Sequence, residues 1–129
     1  MNDFRLTHLG VVMLGVHDLA RAVEFYRDRL GMAVKSEVRG FAFLDAGGVT
    51  LCLSEPLARA LGTPGGSLGG ATELVFEVPG VREAYQALVE HGVRFTHEPR
   101  VVAGTQWAAN FEDPDGHKLS VFGPETIAS

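Results

Sequence analysis

The chain repeats itself. The stretch "VVMLGV" (11–16) is an apolar run of strand length, and in "HDLARAVEFYRDRLGM" after it Leu19, Ala22, Val23, Tyr26 and Leu30 recur at helical spacing. Asp18 is placed to cap this helix and Gly31 to stop it. The stretches "ELVFEV" (73–78) and "PGVREAYQALVEHG" restate the order, with Val81, Ala84, Tyr85, Leu88 and Val89 on one helical face before Gly92. Val16 and Val78 mark matching strand ends 62 residues apart, and the same step takes Leu19 to Val81 and Ala22 to Ala84. The chain therefore reads as two copies of one supersecondary unit.

Each helix is followed by three β-type segments. In the first copy they are "AVKSEVRG", "FAFLDAGG" and "VTLCLSEP", with "RG" and "GG" as turns; in the second they are "RFTHEPRVV", "TQWAANFED" and "HKLSVFGP", with "DPDG" as a tight turn. The unit is βαβββ, and the fold class is α+β, with two paired βαβββ modules. Module one spans about 6–55, a connector about 56–71 and module two about 72–123, all within a single domain. The connector "LARALGTPGGSLGGAT" opens with a short helical piece. Its glycines do not follow a strand and lead into a helix, so it is read as an inter-module linker and not as a phosphate loop.

Composition narrows the class of function. With 129 residues, 46% hydrophobic and 21% charged, the chain can bury a real core without disulfides. One cysteine, Cys52, and no CxxC exclude the usual structural zinc patterns. A formal net charge of −5 argues against nucleic acid as a partner. No apolar run is long enough to span a membrane, and "MNDFRLTH" has no signal-peptide character, so a cytoplasmic location is expected.

The two βαβββ units, the opening "LGVVMLGVHDLARAVEFYRDRLGM" and the closing "FEDPDGHKLSVF" together resemble the vicinal oxygen chelate superfamily, over roughly residues 6–123. That superfamily includes glyoxalase I, extradiol dioxygenases, fosfomycin-resistance transferases and bleomycin-resistance binding proteins. The resemblance implies two sheets paired about a pseudo-twofold axis into a concave half-barrel that holds a ligand. It also implies metal-ligand positions on the inward face. The first, seven residues before Asp18, is Val11; the second, on the fourth strand, is Cys52; the third, opening module two, is Glu73; the fourth, after "GHKL", is Ser120. One strong ligand among four does not make a Zn, Ni or Fe(II) site, so neither metal nor cofactor is expected.

Other residues have competing roles. His8 would reach the first ligand position only through a three-residue shift, which reverses the facing of a strand unless a bulge intervenes; otherwise it is a surface residue at strand entry. Glu73 and Glu77 share a face opposite Leu74, Phe76 and Val78, Glu73 in the cleft and Glu77 either in the cleft or a solvated strand-end charge. Cys52 is a small buried hydrophobe in preference to a nucleophile. Trp107 alternates with Phe111 toward the helix side, while Asn110 faces inward. His17, His91, His97 and His117 lie at turns, helix ends or outer strands, with no metal spacing on one element.

The expected ligand contacts are Glu73, Ser120, Cys52 and Asn110 as polar groups, with Val11, Met13, Phe41, Phe43 and Phe122 as the apolar wall. The expectation is a homodimer that sequesters a small organic molecule, such as an antibiotic, without a metal. The alternatives are a divalent-metal lyase, isomerase or dioxygenase using Glu73 and His8, and a scaffold protein with a vestigial cleft.

Overall fold

A computed structural model describes residues 4–62 and 64–128. Strand β1 (Val11–Gly15) leads into helix α1 (Leu19–Val23) and then a π-type segment, Glu24–Arg29. Strands β2 (Val34–Val38), β3 (Phe41–Asp45) and β4 (Thr50–Ser54) follow, then helix α2 (Glu55–Leu61). Module two runs β5 (Glu73–Glu77), α3 (Val81–Glu90), β6 (Phe95–Ala103), β7 (Gln106–Glu112) and β8 (Lys118–Pro124). The sheets have orders β1-β4-β3-β2 and β5-β8-β7-β6. In each, the first and last strands of the module pair in parallel and the others antiparallel. This is the βαβββ unit twice, as the repeat predicts. No helix among the described residues is long and apolar enough to cross a membrane.

Local chemistry sets the element ends. Asp18 caps α1 by accepting the Arg21 N–H at 3.1 Å, and Ser54 caps α2 by accepting the Leu57 N–H at 3.0 Å. Gly31 and Gly92 close the two helical segments at φ 80° and 88°, a region that penalises any residue with a Cβ.

The first helix departs from the regular spacing expected of it. Over 24–29 it widens to i→i+5 bonding, and the Leu30 N–H donates to the Phe25 carbonyl at 3.0 Å. The cause is countable in the sequence: Val16 and Val78 are 62 apart, whereas Gly31 and Gly92, and the strand starts Val34 and Phe95, are 61 apart. Copy one holds one extra residue, and the π-type segment absorbs it. As a result Phe25 and Tyr26 are both buried, although α-helical spacing selects only Tyr26. The face read for the second helix also needs correction. Val89, placed with the core, is 46% exposed and borders an open hollow with Glu98 and Pro99 of β6, while Val81 is fully buried.

One core joins the copies. Leu14, Leu44, Leu51 and Leu53 from the first sheet and Phe111, Leu119 and Val121 from the second enclose Ala22, Val23, Phe25 and Tyr26. The rings of Phe25 and Phe111 lie 6.4 Å apart, and Phe95 and Tyr85 continue the aromatic stack. Trp107 packs on the helix side as alternation requires, with the Arg82 guanidinium 4.7 Å above its ring.

At the centre of the module junction the "DPDG" turn reaches into module one. Tyr26 donates its hydroxyl proton to Asp113 Oδ2 at 2.7 Å, and Asp113 Oδ1 accepts the N–H groups of Asp115 and His117 at 2.9 Å. Asp115 Oδ1 accepts the His17 N–H at 2.9 Å, with the Arg21 guanidinium 3.6 Å away; its Oδ2 is buried without a hydrogen-bond partner among the described residues. His117 Nε2 donates to the Gly15 carbonyl, and His17 Nε2 to that of Gly66 in the connector, both at 2.7 Å. The connector is docked as well: the Leu68 N–H donates to the Asp115 carbonyl at 2.7 Å, and a Cβ at Gly69 would overlap the Gly116 carbonyl oxygen. These glycines serve close backbone approach.

Burial pushes the Asp113 carboxyl above its ordinary range despite the bonds it accepts, and burial with the neighbouring carboxylates pushes the Tyr26 hydroxyl up. Tyr26→Phe leaves a buried carboxylate oxygen unpaired and should lower the unfolding free energy by about 1–3 kcal/mol, read from urea denaturation. Because the folded protein binds the Asp113 proton more readily than the unfolded chain, stability should fall as pH rises from the ordinary aspartate range through the raised value. That slope should vanish in Asp113→Asn.

Candidate functional site

Cross-strand register sorts the expected ligand residues into two groups, one per sheet. In the first sheet Met13 lies beside Cys52, Cys52 beside Phe43, Val11 beside Thr50, and Phe41 beside Ser54. Since Val12, Leu14, Ala42, Leu44, Leu51 and Leu53 face the core, Val11, Met13, Phe41, Phe43 and Cys52 share the opposite face. The rings of Phe41 and Phe43 stack with centroids 6.4 Å apart and planes at 17°. Val11 and Met13 are 48% and 43% exposed. Cys52 between Met13 and Phe43 is fully buried, and burial pushes its thiol up, away from the thiolate a nucleophile needs. Lys35 adds a cation by donating to Thr50 Oγ1 at 2.8 Å.

In the second sheet Glu73, Ser120, Asn110 and Phe122 share the face turned away from α3. Asn110 Nδ2 donates to Glu73 Oε2 at 2.8 Å, and Arg100 Nη1 donates to Asn110 Oδ1 at 2.7 Å. The two donors and acceptors fix the amide's orientation: its NH₂ meets the carboxylate and its carbonyl the guanidinium. Glu73 and Asn110 sit on the strands either side of β8; buried Ser120 pairs with Asn110 and Val75 while Glu73 pairs with Lys118, so the Asn110–Glu73 bond crosses β8 diagonally. Glu73 itself is exposed, and Glu77, further along β5, is exposed too.

Arg100 is the contributor that the sequence reading missed. It pairs with Ala108 and so belongs to this face, but β6 shifts register between Phe95 and His97 and again between His97 and Arg100, so strict alternation gives no guide. His97 lies opposite Asn110. The two groups approach each other at the sheet edges, where Val12, Thr50 and Leu51 face Glu73, Leu74 and Val75 across a groove of about 200 Å³. At the far end of β1, helix α2 presses on Gly15, and Leu57, Leu61 and Leu68 join Met13 and His117 around a further hollow of about 360 Å³.

The donor chemistry does not fit the divalent metal that this architecture carries in its enzymes. Val11 offers no donor, Cys52 is a buried thiol with raised pKa, Ser120 is a buried hydroxyl, and Glu73 is engaged by an amide. Among the described residues no three His, Cys, Asp or Glu side chains are grouped to hold an ion. His8 is exposed and precedes β1, outside the strand ladder.

Fold and site together define a paired-module protein of the vicinal oxygen chelate type. Residues 6–121 match the Glyoxalase/Bleomycin resistance protein/Dioxygenase superfamily, and the chain belongs to it. It is 30% identical over 123 residues to the YraH protein of Bacillus subtilis, covering 86% of this chain and 94% of that one. It is 28% identical over 120 residues to catechol-2,3-dioxygenase of the same organism, covering 90% of this chain but only 41% of the dioxygenase. A glyoxalase/bleomycin resistance protein/dioxygenase from Nocardioides superposes with a TM-score of 0.78 at 25% identity, covering 95% of this chain and 86% of that structure.

The burial of Cys52 has a direct chemical readout. Its thiol should react with Ellman's reagent at least about a hundredfold more slowly in the native protein than in denaturant. A native rate near the denatured one would show that the floor between Met13 and Phe43 is open.

Proposed function

We propose that this protein binds a small organic molecule on its concave sheet faces without a catalytic metal, sequestering it in the manner of the bleomycin-resistance branch; an antibiotic is one such ligand. The observation that carries the reading is the row Arg100–Asn110–Glu73, in which the one surviving carboxylate of the metal positions is held by an amide that a guanidinium in turn orients. A carboxylate committed to organic donors favours ligands that supply a donor or a cation in turn. The aromatic pair Phe41 and Phe43 with Val11 and Met13 supplies apolar area, so the surface combines a mostly apolar wall with few polar groups.

The same surface supports a homodimer. Val11 and Met13 on one sheet and Val75, 51% exposed, on the other lie on open faces of a single chain. Leu6 and Leu9 ahead of β1 are exposed as well. Pairing with a second copy would cover such apolar area and close the cleft. The likeness to catechol-2,3-dioxygenase favours a metal-dependent reaction as a second reading. It requires a donor set that Val11, Cys52 and Ser120 do not provide.

The readings separate by experiment. Protein purified without added metal should contain no stoichiometric Zn, Ni, Mn or Fe by elemental analysis, and EDTA should leave Tm unchanged; bound metal together with a Tm lowered by chelation overturns the proposal. Light scattering at micromolar concentration should give twice the chain mass. For any small molecule that raises Tm by binding on the concave faces, Glu73→Gln should weaken binding by about 1–3 kcal/mol at unchanged stability. Unaltered affinity in that variant would remove Glu73 from the site.

A further inference from the structure

A second hollow lies on the helix side of module two, away from the concave faces. It has a volume of about 380 Å³, within the range of small-molecule sites, and is walled by Leu30 and Met32 from module one and by Phe76, Val78, Leu88 and Phe111 from module two. Its origin lies in the repeat. Where copy one carries Phe25 and Tyr26, both buried, the 62-residue step leads to Ala87 and Leu88 in copy two. The corresponding strand residues differ likewise: Leu14 and Val16 are buried, while Phe76 and Val78 are only half-buried. Two aromatic rings fill this position in copy one. In copy two an alanine and a leucine leave it open.

Two lining residues have polar side chains, but Glu77 pairs with Phe122 and turns its carboxylate to the opposite face of β5, which leaves His91. The Nδ1 of His91 lies 3.0 Å from the Arg29 carbonyl, and a carbonyl can only accept, so Nδ1 carries the proton. In the neutral ring Nε2 is then an acceptor. We propose that this hollow is a binding site for a small amphiphile, taking an aliphatic or aromatic body among Leu30, Met32, Phe76 and Leu88 and a donor head, an ammonium or hydroxyl, beside His91. The site joins side chains of both modules, so occupancy also stabilises their association.

The test uses octylamine, with octanoate as the chain-matched acceptor-headed control, by isothermal titration and by methyl NMR of the full-length protein. Octylamine should bind saturably at one site per chain, shift the methyl signals of Met32, Leu88 and Val121, and raise Tm, while octanoate binds at least about tenfold more weakly. Ala87→Phe, which restores the aromatic of copy one at the exposed rim, should weaken octylamine at least about tenfold, and Ala84→Leu should do so from the opposite wall. Glu73→Gln should leave octylamine binding unchanged. Absence of saturable binding, undiminished binding in both filling variants, or loss of binding in Glu73→Gln would overturn the site. Equal affinity for octanoate would overturn the assignment of the head group.

Discussion

The arrangement of the two modules depends on a carboxylate that water does not reach. Asp113 spends its acceptor capacity on two backbone N–H groups of its own turn and on the hydroxyl of Tyr26, which belongs to the other copy. The first two bonds give the turn its shape, and the third ties that shape to the first helix. Removing any one partner leaves a buried polar atom unpaired, at a cost comparable to a large part of the stability of a domain this size. Asp115, His17 and His117 extend the same principle to the end of β1 and to the connector. The apolar core is continuous across the modules, but apolar contact is non-directional; directed bonds at the turn hold one copy in register against the other.

That register decides what the open faces present. With the second sheet fixed by its turn, Asn110 lies beside Ser120 and Glu73 beside Lys118, and the amide reaches the carboxylate diagonally across β8. The first sheet offers a different surface, with aromatic and aliphatic side chains over a buried thiol. A ligand spanning both would meet an apolar wall on one side and an ordered polar row on the other.

Much of this is legible in the amino-acid sequence. Strand and helix positions followed from apolar periodicity and from turn residues such as Gly40, Gly47 and Gly116, because those signals are local. Alternation from Phe111 assigned Trp107 to the helix side, and strand facing separated Glu73 from Leu74. Three features escaped, each for its own reason. Arg100 escaped because bulges in β6 break the period of two. The bonds from Tyr26 to Asp113 and from His17 to Asp115 join residues 87 and 98 apart, and no pattern along the chain announces them. Val89 fitted the apolar helical face, yet periodicity does not tell which residues of that face a partner element covers.

The extra residue in the first helix has a consequence for symmetry. In an α-helix each residue turns the chain by about 100°, so one inserted residue re-aims the side chains around it. Because the wide turn takes up the insertion within 24–29, the strands that follow are displaced in sequence but not in space. A duplicated unit would otherwise have yielded two equivalent halves, with the same packing on both sides of the dyad. Here an insertion of one residue, together with divergence of the side chains beside it, made the halves inequivalent: one filled by its own aromatics, the other left with room. An oligomer of such chains would inherit that inequivalence, each copy presenting one sealed half and one receptive half to its surroundings.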